Sequence, residues 1–290
     1  RKNKSKPDLA MIYSEKPCAA AAVYTQNLVK GAPILVTQKN IADGAAKAVI
    51  CNSGNANTCN ADGVEKAQTM CDLAAQALGI EPQDVVVAST GVIGQVLPME
   101  PIQAGIPELV KSLSAQGSHA AATAIMTTDT LPKEAAAEVE IGGKTVKVGG
   151  ISKGSGMIHP NMATMLCFAT TDCAISPAML DKAIHQVTEK TFNMISIDGD
   201  TSTNDTFAIL ANGAAGNPEI TAPGPDYDAF VRLYDAAEGL LRIADVAPEL
   251  PGAVEFARRA AEKCTVSVAH TDASYEEAAA VFDAGAAHLT

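Results

Sequence analysis

The stretch GGISKGSGMIHPNMATMLCFAT, residues 149–170, joins a glycine-rich polar loop to a continuously apolar run. The loop, residues 149–158, carries four glycines, a lysine and two serines, whereas MLCFA, residues 165–169, contains apolar side chains alone. A short apolar run of this kind predicts a buried strand. Thr164 therefore stands at the mouth of a predicted core strand, which is where active-site residues are often placed. The alternative is a β-branched residue that simply begins a strand.

The composition of the whole chain limits the classes of protein to consider. The chain has 290 residues, enough for one large or two ordinary domains, and a hydrophobic share of 47%, as in globular proteins. The formal net charge of -12 offers no basic field for nucleic acid or for an anionic membrane surface. No apolar run approaches the roughly 18 residues that span a bilayer. We therefore expect a globular protein that binds neither nucleic acid nor membranes.

Cysteine usage and the N-terminal residues predict the compartment. The seven cysteines include no C-x-x-C pair, which favours a reduced cytosolic protein over a disulfide scaffold or a zinc site. Residues 1–16 begin basic, but Asp8 and Glu15 interrupt them, so they lack the apolar stretch of a signal peptide. We expect a cytoplasmic protein. The first residue is Arg1 rather than Met, which predicts that the natural N-terminus is missing.

Hydrophobic periodicity predicts an α/β chain. Residues 46–52 and 84–90 are short apolar runs that end in polar turns, as buried strands do. Between them, residues 64–78 have apolar side chains at helical spacing, and the following glycine stops the helix. Residues 137–150 alternate as a β-hairpin does, with the pair Gly142 and Gly143 as its two-residue turn.

Two further elements are predicted after Thr164. Ser176 followed by Pro177 is a cap-and-proline pair that predicts a helix through Lys190. Residues 205–217 predict another strand and a turn. No internal repeat and no low-complexity linker separates these elements.

Three polar clusters adjoin the predicted strands and helices. CNSGNANTCN, residues 51–60, is neither a dinucleotide fingerprint nor a P-loop, and it either makes turns or lines a pocket. IDGDTSTND, residues 197–205, resembles a calcium loop, but it lacks the glycine and the glutamate that such a loop needs. We predict a structural loop that is hydrogen-bonded to itself. IMTTDTLPK, residues 125–133, is predicted as a helix end with local capping.

ASTGVIG, residues 88–94, predicts a sharp turn at the end of a strand. Free backbone N–H groups at Thr90 and Gly91 can converge on an anion, as the oxyanion of acyl transfer requires, at about 3 kcal/mol per donor. The motif alone is short and common. The five histidines have no spacing relation to a serine nucleophile or to a metal motif, so a Ser-His-Asp triad is not predicted.

Five segments together resemble one family, in the order NSGNAN, ASTGVIG, AIMTTDT, GGISKGSGMIHPNMATML and DGDTSTND. They are similar to the ornithine acetyltransferases of arginine biosynthesis, self-processing enzymes also called bifunctional glutamate/ornithine acetyltransferases. The resemblance covers about residues 6–235. It implies that the protein cuts its own bond between Ala163 and Thr164. Thr164 then becomes the N-terminal nucleophile of a second chain.

The implied chemistry accounts for the glycine-rich loop. A hydroxyl at the end of such a loop can attack the carbonyl before it and move the acyl chain from nitrogen to oxygen. Hydrolysis of the ester then leaves a free amine on the residue that carries the hydroxyl, and this amine can act as its general base. Glycines allow the strained backbone that brings the Thr164 hydroxyl onto its own peptide, and the small side chain of Ala163 leaves the approach open.

The resemblance implies roles for four further residues. Thr90 and Gly91 match the oxyanion-hole pair of the family, and Thr127 and Lys153 match positions that contact substrate; a lysine there can hold an α-carboxylate. The implied cycle moves acetyl from N-acetylornithine to Thr164 and then to glutamate, without a metal or an organic cofactor. Some members also accept acetyl-coenzyme A, which nothing in the sequence decides. The family further implies an assembly of two α and two β chains.

We therefore predict an α/β, ornithine acetyltransferase-like layered sheet-and-helix fold over residues 1–238, with an α chain of residues 1–163 and a β chain that begins at residue 164. Residues 239–290 resemble an internal piece of N-acetylglucosamine-phosphate deacetylase, an amidohydrolase built on a (β/α)₈ barrel. There TVSVAHTDA resembles a strand with a metal-binding histidine, here His270. One barrel unit cannot close a barrel or complete a metal shell, so we expect an incomplete β/α fragment in which His270 is not a ligand.

Three functions compete at this point. The chain is an acetyltransferase of arginine biosynthesis, a non-catalytic composite or truncated remnant of that enzyme, or an amidohydrolase-type deacetylase. The missing metal ligands disfavour the deacetylase.

The tail is predicted to contain a helix, a strand and a helix at residues 255–263, 265–269 and 275–284. Its apolar faces lack a barrel neighbour and must pack opportunistically or stay exposed, for instance at Val254, Ala257, Val266 and Val268.

Overall fold

The computed structural model describes residues 6–154, 165–194, 201–235, 243–262, 265–268 and 271–289. Their strands are β1 (Leu9–Tyr24), β2 (Ala45–Asn52), β3 (Val85–Ser89), β4 (Lys133–Ile141), β5 (Lys144–Lys153), β6 (Leu166–Thr171), β7 (Thr206–Ala211), β8 (Ile243–Val246), β9 (Thr265–Val268) and β10 (Ala286–Leu289). Their helices are α1 (Ala32–Asn40), α2 (Gly63–Leu78), α3 (Glu100–Lys111), α4 (Ser118–Ile125), α5 (Pro177–Lys190), α6 (Pro225–Asp235), α7 (Ala253–Ala260) and α8 (Tyr275–Asp283). None of the helices in these ranges has the length and apolar character needed to cross a membrane.

Seven strands form one mixed sheet in the order β3-β2-β1-β7-β6-β5-β4. β2 and β3 are parallel, as are β6 and β7, and the other neighbours are antiparallel. The long strand β1 joins the two halves of the sheet: its first part pairs with β2, and residues 19–24 pair with β7. The register with β2 shifts between Tyr13 and Cys18, so the strand is irregular between its two pairing partners.

Successive residues of the strands face different hydrophobic cores, as the period of two requires. Val49 of β2 and Phe168 of β6 lie in one central cluster. Ile50 of β2 packs in a second cluster with side chains of α1, α2 and α3. Phe207 of β7 packs in a third cluster with side chains of α5 and α6. The two halves of the sheet therefore enclose the central cluster and carry helices on their outer faces, as the predicted layered α/β fold requires.

Local sequence signals agree with the elements that form. Gly142 and Gly143 join β4 to β5 with φ values of +56° and +73°, the combination that a two-residue hairpin turn needs. Ser176 caps α5, since its side chain accepts a hydrogen bond from the N–H of Met179. Gly79 ends α2 with a φ of +68°. The predicted hairpin, the capped helix and the helix stop are confirmed.

The C-terminal residues form a second, three-stranded parallel sheet in the order β10-β9-β8. Helices α7 and α8 connect these parallel strands. Ala257, Val266 and Val268 are at most 1% exposed, because they pack in a local cluster with Val246 and Val281. Of the two predicted alternatives, packing or exposure, these three residues therefore adopt packing. The division of the chain at residue 239 stays a prediction.

Candidate functional site

Thr90 and Gly91 follow β3 at the edge of the sheet where β2 also ends. The N–H of Thr90 donates to the carbonyl of Asn52 at 2.8 Å, which adds one more hydrogen bond after the β2–β3 ladder. The prediction that this N–H is free for an anion is therefore wrong. The hydroxyl of Thr90 and the N–H of Gly91 make no hydrogen bond to any residue that the structure describes. These two groups therefore remain available as donors at the Thr90–Gly91 pair.

Gly91 lies where two loops touch backbone to backbone. Its φ is +130°, and a Cβ at this position would lie 2.7 Å from the carbonyl carbon of Gly54 and 2.8 Å from the nitrogen of Asn55. Only glycine combines this backbone angle with this approach. The carbonyl of Val92 accepts the N–H of Ala56 at 2.9 Å, so the turn is also hydrogen-bonded to the loop after β2.

Asn52 shapes that neighbouring loop. Its Nδ2 donates to the carbonyl of Asn55 at 2.7 Å and to the hydroxyl of Ser89 at 3.0 Å. Its Oδ1 accepts the N–H of Gly54 at 2.9 Å, the local turn that asparagine favours. The Gly/Asn-rich segment after β2 therefore makes turns, and these turns lie directly against Thr90 and Gly91.

Lys153 is the last residue of β5 and is half-buried. Burial lowers the pKa of its ammonium group, while the carboxyl groups of Asp129 and Asp205 act in the opposite direction. Within the described ranges, the ammonium group of Lys153 forms no salt bridge. A partly desolvated lysine that forms no salt bridge with a described residue is suited to holding the carboxylate of a small ligand.

Asp129 brings the two predicted substrate-contacting residues together. Its side chain is buried and accepts hydrogen bonds from the N–H of Thr127 at 3.2 Å, from the N–H of Gly154 at 2.8 Å and from the ammonium of Lys133 at 2.5 Å. Gly154 directly follows Lys153, so Thr127 and Lys153 are held on either side of one carboxylate. Burial alone would raise the pKa of Asp129, but the hydrogen bonds from Lys133 and Gly154 outweigh it and lower this pKa.

The sequence prediction missed Asp129, because residues 125–133 were interpreted as a helix end with local capping. α4 ends at Ile125, and the threonines after it surround an acid that bonds to a distant strand. The signal in the sequence is a single acid among threonines, directly before the predicted hairpin.

Asp205 is a second buried acid that the sequence prediction missed. Its side chain is 3% exposed, and its Oδ2 has no hydrogen-bond partner among the described residues. Burial raises the pKa of this carboxyl group to about 8, although a hydrogen bond from Ser202 and the charge of Lys153 act in the opposite direction. The group is therefore mostly protonated at pH 7. The signal in the sequence is an acid directly before the apolar run TFAILA.

Ala163 and Thr164 lie outside the described residues, as does His270. Met165 is the described residue that follows Thr164, and its carbonyl accepts the N–H of Thr206 at 3.1 Å. The next residue, Leu166, pairs with Lys153 on one side and with Thr206 on the other. The described start of β6 therefore lies between Lys153 and the residue that follows Asp205.

Burial raises the pKa of the thiols of Cys71, Cys167 and Cys173 to about 12, so these three remain protonated at neutral pH. No group of three or more His, Cys, Asp and Glu side chains able to hold a metal ion occurs in the part of the chain that the structure describes.

Two sets of groups among the described residues have the chemistry that acyl transfer requires. The Thr90 hydroxyl and the Gly91 N–H are hydrogen-bond donors without a partner among the described residues, as an oxyanion needs. Lys153 and the backbone of Thr127 lie together at the buried carboxylate of Asp129, where an anionic part of a substrate can meet a cation.

Known proteins resemble this chain over most of its length. The model of the ArgJ family matches residues 1–281. The arginine biosynthesis bifunctional protein ArgJ of Symbiobacterium thermophilum is 52% identical over 253 residues, which are 87% of this chain and 62% of that protein. The protein of the same name from Geobacter sulfurreducens is 45% identical over 274 residues, which are 94% of this chain and 68% of that protein.

A solved structure resembles the fold. The crystal structure of arginine biosynthesis bifunctional protein ArgJ from Bacillus halodurans is 45% identical, with a TM-score of 0.52. The match covers 56% of this chain and 85% of that one. The chain spans 62% of the length of the Symbiobacterium relative. The layered α/β fold and the predicted family resemblance are thus confirmed, and the chain belongs to the ArgJ family.

Proposed function

We propose that this chain moves acetyl from N-acetylornithine to glutamate through an acetyl-threonine at Thr164, after it cuts its own bond between Ala163 and Thr164. The observation that supports the proposal is the pairing of Lys153 with Leu166 at the start of β6, directly after the GGISKGSGMIHPNMAT motif. The Thr90 hydroxyl and the Gly91 N–H, which have no hydrogen-bond partner among the described residues, add to this support in a member of the ArgJ family.

Each residue has a defined role in the proposed cycle. The α-amine of Thr164 removes the proton of its own hydroxyl, which attacks the acetyl carbonyl of N-acetylornithine. The Thr90 hydroxyl and the Gly91 N–H stabilise the resulting oxyanion. The α-amine then gives its proton to the leaving amine of ornithine, and the amine of glutamate attacks the acetyl-threonine. Lys153 and Thr127 hold the substrate, and Lys153 does so by binding the α-carboxylate of the substrate.

The proposal extends to the setting of the reaction. We propose that the cut chains assemble as two α and two β chains and work in the cytoplasm. No metal or organic cofactor enters the cycle as written. Acetyl-coenzyme A is a second candidate donor for the same acetyl-threonine, and a transfer assay with each donor separately measures which one the protein uses.

The cut is tested by intact mass spectrometry of the purified protein. The chain as given should appear as two fragments, residues 1–163 and 164–290, and Thr164→Ala should appear as one chain. Thr170→Ala is the matched control, because Thr170 is an exposed threonine of β6, six residues later, and this variant should still be cut. Two fragments in the Thr164→Ala variant would refute the self-processing step.

Acetyl transfer is tested with N-acetylornithine as donor and glutamate as acceptor. Thr90→Val keeps the shape of the side chain but removes the hydroxyl, so kcat should fall about 100-fold while KM changes little. Lys153→Met should instead raise KM, because it removes the partner of the substrate carboxylate in both ground state and transition state. An unchanged kcat in Thr90→Val would mean that the turn is only structural.

A non-catalytic remnant is the second candidate function. One observation favours it: the described residues from 246 onward have a hydrophobic cluster of their own, which shares no residue with the three clusters around the seven-stranded sheet. On this proposal the protein is cut but transfers little or no acetyl. A family C-terminus attached after about Asp235 should then restore transfer. Transfer by the chain as given, at an ordinary rate on the order of 10 per second, would refute the remnant.

A further inference from the structure

The side chain of Asn204 lies between loops that meet beside the Thr90–Gly91 turn, and it is 6% exposed. Its Nδ2 donates to the carbonyl of Ala56 at 2.6 Å and to the carbonyl of Ser89 at 2.9 Å. Its Oδ1 accepts the hydroxyls of Thr58 at 2.5 Å and Thr203 at 2.6 Å. Both donors and both acceptor positions of the amide are therefore used.

The bond to Ser89 fixes the peptide that precedes the two remaining donors. The carbonyl of Ser89 and the N–H of Thr90 belong to one rigid peptide plane. Asn204 holds the oxygen of this plane, and the carbonyl of Asn52 holds its N–H at 2.8 Å. A plane held at both edges cannot rotate freely. This plane fixes the position of the Thr90 Cα, from which the Thr90 side chain and the peptide with the Gly91 N–H extend.

Asn204 also reaches the other end of the same turn. Ala56 accepts Asn204 through its carbonyl and donates its N–H to the carbonyl of Val92 at 2.9 Å. Ser89 and Val92 flank the Thr90–Gly91 pair. The Asn204 amide bonds to Ser89 directly and is linked to Val92 through Ala56. A shift of this side chain would loosen both ends together.

The amide itself has little freedom. A Cβ on Gly31 would lie 2.6 Å from Nδ2, 2.7 Å from Oδ1 and 2.8 Å from Cγ of Asn204, so the glycine packs flat against the amide. The N–H of Gly31 donates to the carbonyl of Thr203 at 2.8 Å, which fixes this contact. A longer side chain or another rotamer at position 204 would meet the backbone of Gly31.

We propose that Asn204 is a positioning residue for acyl transfer, which sets the Thr90 hydroxyl and the Gly91 N–H in the directions that an oxyanion needs. The proposal rests on the proposed function. The described part of the segment ending at residue 205 is bonded to itself, as predicted, through Thr203 and Asn204 and through Ser202 and Asn204. Residues 201–205 also bond to Thr25, Asn27, Gly31, Ala56, Thr58 and Ser89, which the sequence did not predict.

The test compares two nearly isosteric substitutions. Asn204→Asp replaces the two N–H donors by oxygen lone pairs that face the carbonyls of Ala56 and Ser89. Asn217→Asp is the matched control, because Asn217 is also 6% exposed and donates to the carbonyls of Ala174 at 3.1 Å and Pro218 at 2.8 Å. Both variants break two hydrogen bonds from a buried asparagine to backbone carbonyls, but only the first touches the Thr90–Gly91 turn.

Two measurements separate positioning from stability. Amide hydrogen exchange across residues 85–96 should quicken about tenfold or more in Asn204→Asp and stay near the wild-type rate in Asn217→Asp. In acetyl transfer, kcat should fall about 10- to 100-fold in Asn204→Asp with KM within about twofold, since an oxyanion hole acts in the transition state. Asn217→Asp should keep kcat within about threefold.

Each outcome decides one point. Equal exchange of residues 85–96 in the two variants overturns the proposal, and so does an unchanged kcat in Asn204→Asp when the wild type transfers acetyl. A wild type that transfers no acetyl refutes the proposed function, and the exchange comparison then decides whether Asn204 holds the turn. If Asn204→Asp does not fold, Thr58→Val removes only one bond to the amide and should change exchange and kcat in the same direction by about threefold.

Discussion

Replacing Gly91 by alanine should destabilise the protein strongly. The residue has a φ of +130°, which costs a side-chain-bearing residue on the order of 1–3 kcal/mol. The added Cβ would also lie 2.7 to 2.8 Å from backbone atoms of Gly54 and Asn55, closer than carbon atoms pack. Backbone cannot rotate away as a side chain can, so the overlap adds about 1–3 kcal/mol. We therefore expect a total loss of about 2–6 kcal/mol in the free energy of unfolding.

Gly94→Ala is the matched control for the backbone angle. Gly94 lies three residues later with a φ of +75°, and nothing lies within 4 Å of a Cβ added there. This variant carries the cost of the positive φ without the overlap, about 1–2 kcal/mol. The difference between the two variants isolates the close approach of the two loops.

Urea unfolding followed by circular dichroism measures both losses. The unfolding midpoint of Gly91→Ala should fall at least twice as far as that of Gly94→Ala, with similar slopes. The folded Gly91→Ala protein should also transfer acetyl about 100-fold more slowly, because relief of the overlap moves the Gly91 N–H out of line. Equal midpoints in the two variants would refute the reasoning that the backbone contact requires glycine.

Three further results are expected. Asp205 has a folded pKa of about 8 against an ordinary 3.8, so its contribution to stability is full below about pH 4 and is lost as the pH rises to 8. The free energy of unfolding should therefore fall over this range by at most about 1.4 kcal/mol per pH unit. Asp205→Asn should flatten this fall, as measured by urea unfolding at pH 5, 7 and 9. Because the folded pKa of Asp129 is lowered, its carboxylate stabilises the protein above its unfolded pKa, and this stability is lost in acid. Asp129→Asn should therefore lower the free energy of unfolding by about 3 kcal/mol at pH 7 and by less at pH 3. Glu108→Gln, in an exposed ion pair, is the control and should cost under about 1 kcal/mol at both pH values. Deletion of residues 239–290 should leave the thermal midpoint of the remaining chain within a few degrees, because the described residues of this segment take no part in the clusters of the large sheet; loss of cooperative melting would contradict this.

The sequence predicted those parts of the fold whose signals are local. The Gly142–Gly143 turn, the Ser176 cap and the Gly79 stop each depend on the chemistry of a few neighbouring residues, so a reading of the sequence could place them. The buried strands β2 and β3 were visible as short apolar runs. The family motifs added the expectation that Thr90, Lys153 and Thr127 belong together.

The remaining features depend on pairing between distant segments. The order of strands in the large sheet follows from β1, which pairs with β2 in its first part and with β7 in its second. No local sequence pattern predicts these two pairings. The N–H of Thr90 was expected to be free, because its bond to Asn52 exists only in the observed register of two strands. Asp129 and Asp205 were missed because their chemistry comes from what packs around them.

The order of the strands also bears on when the chain can be cut. β6 and β7 follow residue 164 in sequence but lie in the interior of the large sheet, between β1 and β5. Residues 19–24 pair with residues 206–211 on one side, and residues 148–153 pair with residues 166–171 on the other. A cut between residues 163 and 164 would thus leave two fragments that share one sheet and stay associated until they are denatured. Halves made from separate genes would have to insert two strands into a gap in a preformed partner, so the proposed cut would have to follow folding of the continuous chain.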